Sequence, residues 1–166
     1  MNSDVVIRKA SEEEIDRLLE IWLEKANWLI ENNMPMWDPR QFSREKLIEK
    51  YHRPEYYVCR NDKDIIGGFI LIEYDERYWK DHLQDKAFYF HKFVVRSKYK
   101  GQGYSGYILE WVKKYGKEMG KDFVRLDYNE ERTYLKEMYT RHGFAPKDIV
   151  KNDDGDVLII AEYKIN

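Results

Sequence analysis

Residues 94–106 constrain the fold more than any other segment of the chain. They read V-V-R-S-K-Y-K-G-Q-G-Y-S-G, so an apolar strand ends, a basic loop follows, and glycines precede a helical pattern. Glycines let backbone N–H groups approach a ligand closely and converge on one point. A helix start adds four unpaired donors and the positive end of the helix dipole. The segment therefore predicts a strand–loop–helix unit that holds a phosphorylated ligand, with Lys98 and Lys100 adding positive charge.

Strand and helix patterns alternate along the rest of the chain without a repeat or a linker. Ser11 and Glu14 form a capping-box start for a long amphipathic helix, whose apolar spacing runs to Ile30 and permits one break. The other predicted helices are 43–51, 103–119 and 131–141, and the predicted strands are 5–9, 56–60, 65–74, 86–96, 123–128, 144–150 and 157–163. Helices between strands of a mixed sheet predict the α/β (α+β) class.

Length and composition narrow the class of protein. The 166 residues fit a single domain spanning 1–166. The chain has 29 Lys plus Arg against 31 Asp plus Glu, which argues against a nucleic-acid partner. No apolar stretch has the length of a signal peptide or a membrane span, and Cys59 is the only cysteine, so we expect a cytoplasmic location and no membrane partner. The 4 histidines lack ligand-like spacing, so we expect no metal.

Two families fit the glycine segment. Gly101–Gly106 matches the dinucleotide fingerprint G-x-G-x-x-G, and Asp127 lies at the distance of a ribose partner. Five polar or basic residues separate the strand from the first glycine, however, and only one further strand–helix unit follows. That is too little chain for the two halves of a dinucleotide-binding sheet, so this alternative is disfavoured.

The chain resembles the GNAT superfamily of acyl-CoA N-acyltransferases over nearly its whole length. The family signature, Gln/Arg-x-x-Gly-x-Gly/Ala, is matched by residues 98–103 with Lys98 in place of Gln or Arg. A tyrosine four residues before a closing Gly-Phe is matched by Tyr139 and Gly143-Phe144. Residues 125–127, Arg-Leu-Asp, are similar to one bacterial subgroup with small-molecule substrates. The resemblance implies a central mixed sheet of six to seven strands flanked by four helices, and it allows a homodimer.

The resemblance also implies acetyl-CoA as the co-substrate and an amine as the acceptor. The backbone of residues 93–95 would hold the thioester oxygen, and the glycine loop would hold the pyrophosphate. Arg132 stands where the subgroup usually carries Asn, near the pantetheine. The residues expected to contact the co-substrate are Phe93, Val94, Val95, Lys98, Lys100, Gly101, Gln102, Gly103, Tyr104, Ser105, Gly106 and Arg132.

For catalysis, the resemblance makes Tyr139 the acid that protonates the departing thiolate. A base must help because an alkyl amine with a pKa of about 10.4 is mostly protonated at neutral pH. Ala87 stands where some histone-acetylating relatives keep a catalytic glutamate, so the base remains open among Glu73, His91 and Asp127, with Asp75 also considered. Aromatic walls attract cations, so Trp28, Trp37 and Tyr89 are the candidates for the acceptor pocket.

These residues leave two functions open. The first is acetyl transfer from acetyl-CoA to a primary amine of a small molecule or peptide, by direct attack in a ternary complex. The second is a module of the same fold that binds acyl-CoA without catalysis, as a sensor or partner. Tyr139 and the complete glycine loop favour catalysis, whereas the missing glutamate keeps the second alternative open.

Overall fold

The computed structural model describes residues 4–165. Residues 1–3 and 166 of the predicted domain lie outside the described residues. The strands are β1 (Val6–Lys9), β2 (Glu55–Arg60), β3 (Ile65–Ile72), β4 (Ala87–Val95), β5 (Phe123–Asn129), β6 (Ala145–Lys151) and β7 (Val157–Lys164). The helices are α1 (Glu12–Glu31), α2 (Arg44–Lys50), α3 (Tyr104–Glu118) and α4 (Thr133–Arg141).

The strands form one mixed sheet in the order β1-β2-β3-β4-β5-β7-β6. The β4–β5 pair is parallel, while β1–β2, β2–β3, β5–β7 and β6–β7 are antiparallel. This sheet, with its four helices, confirms the mixed α/β class expected from the sequence. The residues group into two compact units. One comprises the chain up to Leu71 with Lys92–Ser105, and the other comprises Ile72–His91 with the chain from Gly106 onward.

In the first unit, α1 packs closely on the β2–β3 hairpin. Leu18 is fully buried, and a Cβ built on Gly68 of β3 would lie 2.5 Å from its Cδ2 atom, so the absence of a side chain at Gly68 lets the helix approach. The capping box at Ser11 is present as predicted. Its Glu14 carboxylate also accepts hydrogen bonds from Arg8 at 2.7 Å and Arg60 at 2.8 Å, which ties the start of α1 to β1 and β2.

In the second unit, α3 packs on β5 and the buried guanidinium of Arg125 joins several elements. Gly116 of α3 faces the Val124 side chain, where an added Cβ would lie 3.4 Å away. Arg125 is 1% exposed and donates hydrogen bonds to Asp85 at 2.6 Å, to Glu162 at 2.9 Å and to the Tyr89 hydroxyl at 3.0 Å. Pairing and hydrogen bonding on every side offset the cost of burying this charge.

Several boundaries differ from the sequence pattern for local reasons. Helix α1 is unbroken from Glu12 to Glu31. Helix α4 begins at Thr133 rather than Glu131, because the N–H of Glu131 is bonded to the Asn129 side chain in a turn. Strand β4 contains Lys92 with a φ of 54°, a left-handed backbone conformation that the strand pattern does not reveal. None of the helices described for residues 4–165 is long and apolar enough to cross a membrane.

Candidate functional site

The glycine loop adopts the backbone conformation that its composition predicts. Gly101 and Gly103 have φ values of 77° and 87°, and α3 begins immediately afterwards at Tyr104. Nothing lies within 4 Å of a Cβ built on Gly101, so this point of the loop is open. Ser105 and Gly106 continue into the first turn of α3, and Gln102 is exposed. Left-handed glycines before a helix start fit an anionic phosphate ligand, because the N–H groups can turn toward one point.

The basic loop before these glycines is fastened to the turn between β2 and β3. The Asp64 Oδ2 atom accepts hydrogen bonds from Arg96 Nη1 at 2.7 Å, from Tyr99 Oη at 3.1 Å and from Lys98 Nζ at 3.2 Å. Burial alone would raise the pKa of Asp64, but these donors and the Arg96 charge hold it at about 2. The loop conformation is therefore supported by one ionised carboxylate at neutral pH. Lys100, by contrast, is exposed, and its backbone N–H bonds to the Ser97 carbonyl at 3.1 Å.

The predicted thioester-binding strand segment, residues 93–95, lies at the end of β4. Val94 is buried, whereas Phe93 and Val95 are partly exposed. Just before them, the left-handed residue Lys92 turns its carbonyl toward the indole of Trp22, which donates a hydrogen bond at 2.7 Å. This contact fixes the irregular part of β4 against α1.

His91 lies between two carboxylates of the second unit. Its Nε2 atom is 3.2 Å from Asp75 Oδ2, and its Nδ1 atom is 3.9 Å from Asp127 Oδ2. The β4–β5 ladder ends at the pair Tyr89 and Arg125, so the histidine belongs to the part of β4 that has left the ladder. Burial raises the pKa of Asp75, but the hydrogen bond and charge of His91 and the backbone N–H of Arg77 bring it below its ordinary value. The arrangement is a histidine oriented by a buried, ionised carboxylate, which suits proton transfer.

Tyr139 lies in an apolar, aromatic environment in the same unit. It is 6% exposed, and its ring centroid is 5.5 Å from that of Tyr128 and 5.9 Å from that of Phe144. Burial raises the pKa of the Tyr139 hydroxyl, and the negative charge of Asp127 raises it further. The group therefore carries its proton at neutral pH and is available as a donor.

Glu73, a predicted base, and Tyr89, predicted for the acceptor pocket, contact other side chains of the protein. Glu73 is exposed and forms an ion pair with Lys121, apart from the His91 contacts. Tyr89 is 1% exposed, and its hydroxyl accepts a hydrogen bond from Arg125. Its ring also packs against Trp79, with centroids 6.0 Å apart, so its surface is occupied by the protein itself.

The tryptophans predicted for the acceptor pocket lie in different surroundings within the first unit. Trp28, on α1, lines a small cleft with Lys25, Arg96 and Ser97. Trp37 follows α1 and packs edge-on against Phe42, with ring centroids 5.8 Å apart. The ammonium of Lys92 lies 5.4 Å from the Trp37 ring centroid and 5.8 Å from that of Phe42. Trp37 is thus part of an aromatic cluster around a buried cation.

Arg132, a predicted co-substrate contact, and Cys59 are buried to different degrees. Arg132 immediately precedes α4 and is partly buried, and this burial lowers its pKa. Cys59 is fully buried, and burial raises the pKa of its thiol to about 12, which makes it unreactive. Across residues 4–165, no group of three His, Cys, Asp or Glu side chains is arranged to hold a metal ion.

Sequence reasoning missed two of the groups that organise these sites. Asp64 stands in the run Asn61-Asp62-Lys63-Asp64, which has the composition of an ordinary turn. Lys25 stands on the α1 surface among other charged residues. Nothing in their neighbouring residues distinguishes them, because the donors to Asp64 and the Arg96–Ser97 side of the cleft at Lys25 come from distant parts of the chain. Asp75 is among the residues that the sequence offers as a base, but its contact with His91 depends on the fold.

The comparison with protein families gives one clear match. The model described as "Acetyltransferase (GNAT) family" matches residues 15–144. Among curated proteins, the uncharacterized N-acetyltransferase YesJ of Bacillus subtilis is 23% identical over 141 residues, which cover 80% of this chain and 77% of that protein.

Solved structures show the same fold. A GNAT-family acetyltransferase from Listeria monocytogenes superposes with a TM-score of 0.75 at 21% identity, covering 96% of this chain and 94% of that one. A GNAT-family acetyltransferase from Elizabethkingia anophelis with acetyl-CoA bound gives 0.69 at 18% identity, covering 98% and 99%. The ribosomal-protein-S18-alanine N-acetyltransferase from Escherichia coli gives 0.71 at 14% identity, covering 98% and 94%. The family resemblance and the fold inferred from the sequence are both confirmed.

Proposed function

Because this chain belongs to the acetyltransferase (GNAT) family, we propose that it transfers an acetyl group from acetyl-CoA to a primary amine of a small molecule or peptide. The amine attacks the thioester directly, while both substrates are bound. The observation that supports acetyl-CoA as the co-substrate is the pair of left-handed glycines, Gly101 and Gly103, directly before the start of α3. A similar fold from Elizabethkingia anophelis has acetyl-CoA bound, which supports the same co-substrate here.

The co-substrate supplies the acetyl group as a thioester, and the protein supplies its positioning. In the proposal, the loop from Gly101 to Gly106 donates backbone N–H groups to the pyrophosphate. The backbone of Phe93, Val94 and Val95 donates to the thioester oxygen and stabilises the negative charge that develops there. Donors held in a fixed backbone need no reorganisation during the reaction, which is why they lower its barrier.

We assign the general base to His91. An amine acceptor must lose a proton to become nucleophilic, and an imidazole can accept that proton near neutral pH. The 3.2 Å contact from Nε2 to Asp75 holds the ring orientation and favours the positive charge that the ring acquires. Asp127, 3.9 Å from Nδ1, adds negative charge on the other side of the ring. Glu73 is the weaker candidate because it is exposed and paired with Lys121.

We assign the general acid to Tyr139. The thiolate that leaves during acyl transfer needs a proton, and Tyr139 stands at the position of the tyrosine acid that the family resemblance implies. Its raised pKa keeps the hydroxyl proton in place at neutral pH until the thiolate forms. The resulting phenolate is disfavoured beside Asp127, so Tyr139 regains its proton before the next turnover. A cationic acceptor is consistent with the carboxylates of Asp75 and Asp127 around the base.

The test is calorimetric titration of the full chain with acetyl-CoA, with NAD in parallel and Gly103→Asp as the loop variant. We expect acetyl-CoA to bind with micromolar affinity, NAD not to bind, and Gly103→Asp to bind acetyl-CoA weakly, because a carboxylate would stand at the phosphate position. A panel of primary amines, followed by thiol release, then tests transfer. Binding of NAD in preference to acetyl-CoA, or acetyl-CoA binding without thiol release from any amine, would contradict the proposal.

A further inference from the structure

The positive charges near the glycine loop are not equivalent. Lys98, which stands at the first position of the family signature, directs its ammonium to Asp64 Oδ2 at 3.2 Å. Arg96 and Tyr99 donate to the same oxygen. These three contacts hold the loop on the β2–β3 turn, so the charge of Lys98 is partly balanced within the protein.

Lys25 of α1 is in the opposite situation. It lines a cleft of about 60 Å³ whose other walls include Glu24 and Trp28 of α1 and, from the chain after β4, Arg96 and Ser97. Its ammonium lies 5.0 Å from the Trp28 ring centroid and, within residues 4–165, forms no ion pair with a carboxylate. Burial lowers the pKa of Lys25, and the positive charge of Lys100 lowers it further. Lys25 is thus a partly dehydrated cation close enough to the loop to be affected by a second cation.

Such an arrangement is unfavourable by itself and becomes favourable when an anion binds. Two positive charges that lie close together repel each other, and partial dehydration makes this repulsion stronger. An anion placed nearby lowers the free energy of both charges, because it offsets the repulsion and the lost hydration. The loop residues that follow, Gly101 and Gly103, have the conformation that directs N–H groups to an anion. The cleft with the Lys25 ammonium is lined by Arg96 and Ser97, which begin the loop that carries these glycines. The ammonium and the backbone N–H groups of the loop can therefore serve the same anionic ligand.

We propose that Lys25, together with Lys100, supplies the positive charge that binds the phosphates of the CoA co-substrate, whereas Lys98 anchors the loop to Asp64. This inference rests on the proposed function, because it assigns residues for the same co-substrate. It moves the cationic contact from the loop position expected by family resemblance to helix α1.

The experiment compares CoA affinity of the full chain by calorimetry for the unaltered protein, Lys25→Gln, Lys25→Arg and Lys98→Gln. We expect Lys25→Gln to weaken CoA binding about tenfold, since charge-assisted contacts to phosphate are the strong ones. Lys25→Arg retains the charge and should stay within about threefold. Lys98→Gln should weaken CoA binding less than Lys25→Gln does, because Lys98 acts only by anchoring the loop to Asp64. Raising the salt concentration should reduce the difference between Lys25→Gln and the unaltered protein.

Thermal unfolding without ligand separates binding from folding. Lys25→Gln removes a partly dehydrated charge, so its melting temperature should be unchanged or higher, whereas Lys98→Gln should lower it slightly because Asp64 loses one donor.

3′-Dephospho-CoA identifies the phosphate that Lys25 contacts. The same loss of affinity with this ligand assigns Lys25 to the pyrophosphate, and a loss seen only with CoA assigns it to the 3′-phosphate. Either result supports the proposal.

Three outcomes would overturn it. Equal affinities of Lys25→Gln and the unaltered protein for CoA would show that Lys25 does not contact a phosphate. A larger loss in Lys98→Gln than in Lys25→Gln would return the contact to the loop. A lowered melting temperature of Lys25→Gln would make its effect structural. If the unaltered protein fails to bind CoA at all, the proposed function fails together with this inference, and that result differs from the other three.

Discussion

His91 Nε2 lies 3.2 Å from Asp75 Oδ2, and Asp75 Oδ1 accepts the backbone N–H of Arg77 at 3.1 Å. The carboxylate is 7% exposed, so few water molecules can replace the histidine as its partner. A carboxylate that is itself fixed by the backbone can hold one orientation of an imidazole ring. The contact between His91 and Asp75 therefore connects β4 to the loop that follows β3.

This relationship predicts the effect of Asp75→Asn. The amide keeps the size of the carboxylate but loses its charge, so it stabilises a protonated His91 less. We expect kcat to fall about tenfold or more, with the KM for acetyl-CoA unchanged, because Asp75 acts through the base. Steady-state thiol release across a range of pH measures it. Asp81→Asn, on the same loop but without a contact to His91, is the matched control, and equal losses in both variants would remove Asp75 from the mechanism.

Tyr139→Phe tests the proposed acid. The hydroxyl is deleted while the aromatic packing on Tyr128 and Phe144 is retained. We expect kcat to fall on the order of 10²-fold, at the lower end of the range for general acid catalysis, with CoA affinity nearly unchanged. Single-turnover thiol release and calorimetry measure the two quantities. Tyr128→Phe is the control for loss of a neighbouring hydroxyl, and undiminished turnover in Tyr139→Phe would exclude the acid role.

Glu14 predicts a pH-dependent contribution to stability. The hydrogen bond from Arg8 is the largest favourable influence on this carboxylate, and with those from Ser11 and Arg60 it lowers the pKa of Glu14 to about 2 in the folded protein from an ordinary value of 4.5. A depressed folded-state pKa stabilises the protein above the unfolded pKa, and this stabilisation is lost as the pH falls from about 4.5 toward 2.

Glu14→Gln should therefore reduce the free energy of unfolding by about 2 kcal/mol at pH 7, and by much less at pH 3. Urea unfolding at pH 7, 5 and 3 measures the difference. Glu13→Gln, an exposed neighbour in the same helical turn, should change stability little at any of these values. A deficit in Glu14→Gln that stays constant with pH would show that packing, and not charge, is responsible.

Gly67 and Gly120 are glycines for two different reasons: Gly67 has no room for a side chain, whereas Gly120 has a left-handed backbone conformation. A Cβ on Gly67 would lie 2.2 Å from the Val94 carbonyl oxygen, a backbone atom that cannot move without distorting β4. Gly120 has a φ of 74° and nothing within 4 Å of an added Cβ. We expect Gly67→Ala to cost about 3 kcal/mol or more of unfolding free energy, and Gly120→Ala about 1 kcal/mol. Urea unfolding of both variants decides it, and a Gly67→Ala protein as stable as Gly120→Ala would contradict the close approach.

Local patterns in the sequence determined much of this protein. The capping box at Ser11 and Glu14, the period of the apolar residues and the turn glycines are interactions between residues close in the chain. For the same reason the glycine loop before α3 could be identified, since left-handed glycines followed by a helix start need no distant partner. The order of these elements was enough to indicate the family.

Tertiary structure decided which charged groups are paired. Asp64 and Lys98 are separated by 34 positions, the Glu14 carboxylate is shared by Arg8 and Arg60, and His91 meets Asp75 across a loop. Whether a carboxylate is an exposed partner of a lysine, like Glu73, or a buried, ionised partner of a histidine, like Asp75, depends on burial and on what the folded chain brings near it. Nearby charges and dehydration set the pKa of an ionisable group, and both depend on which residues surround it in space. The role of a charged residue therefore follows from the fold and not from its neighbours in the sequence.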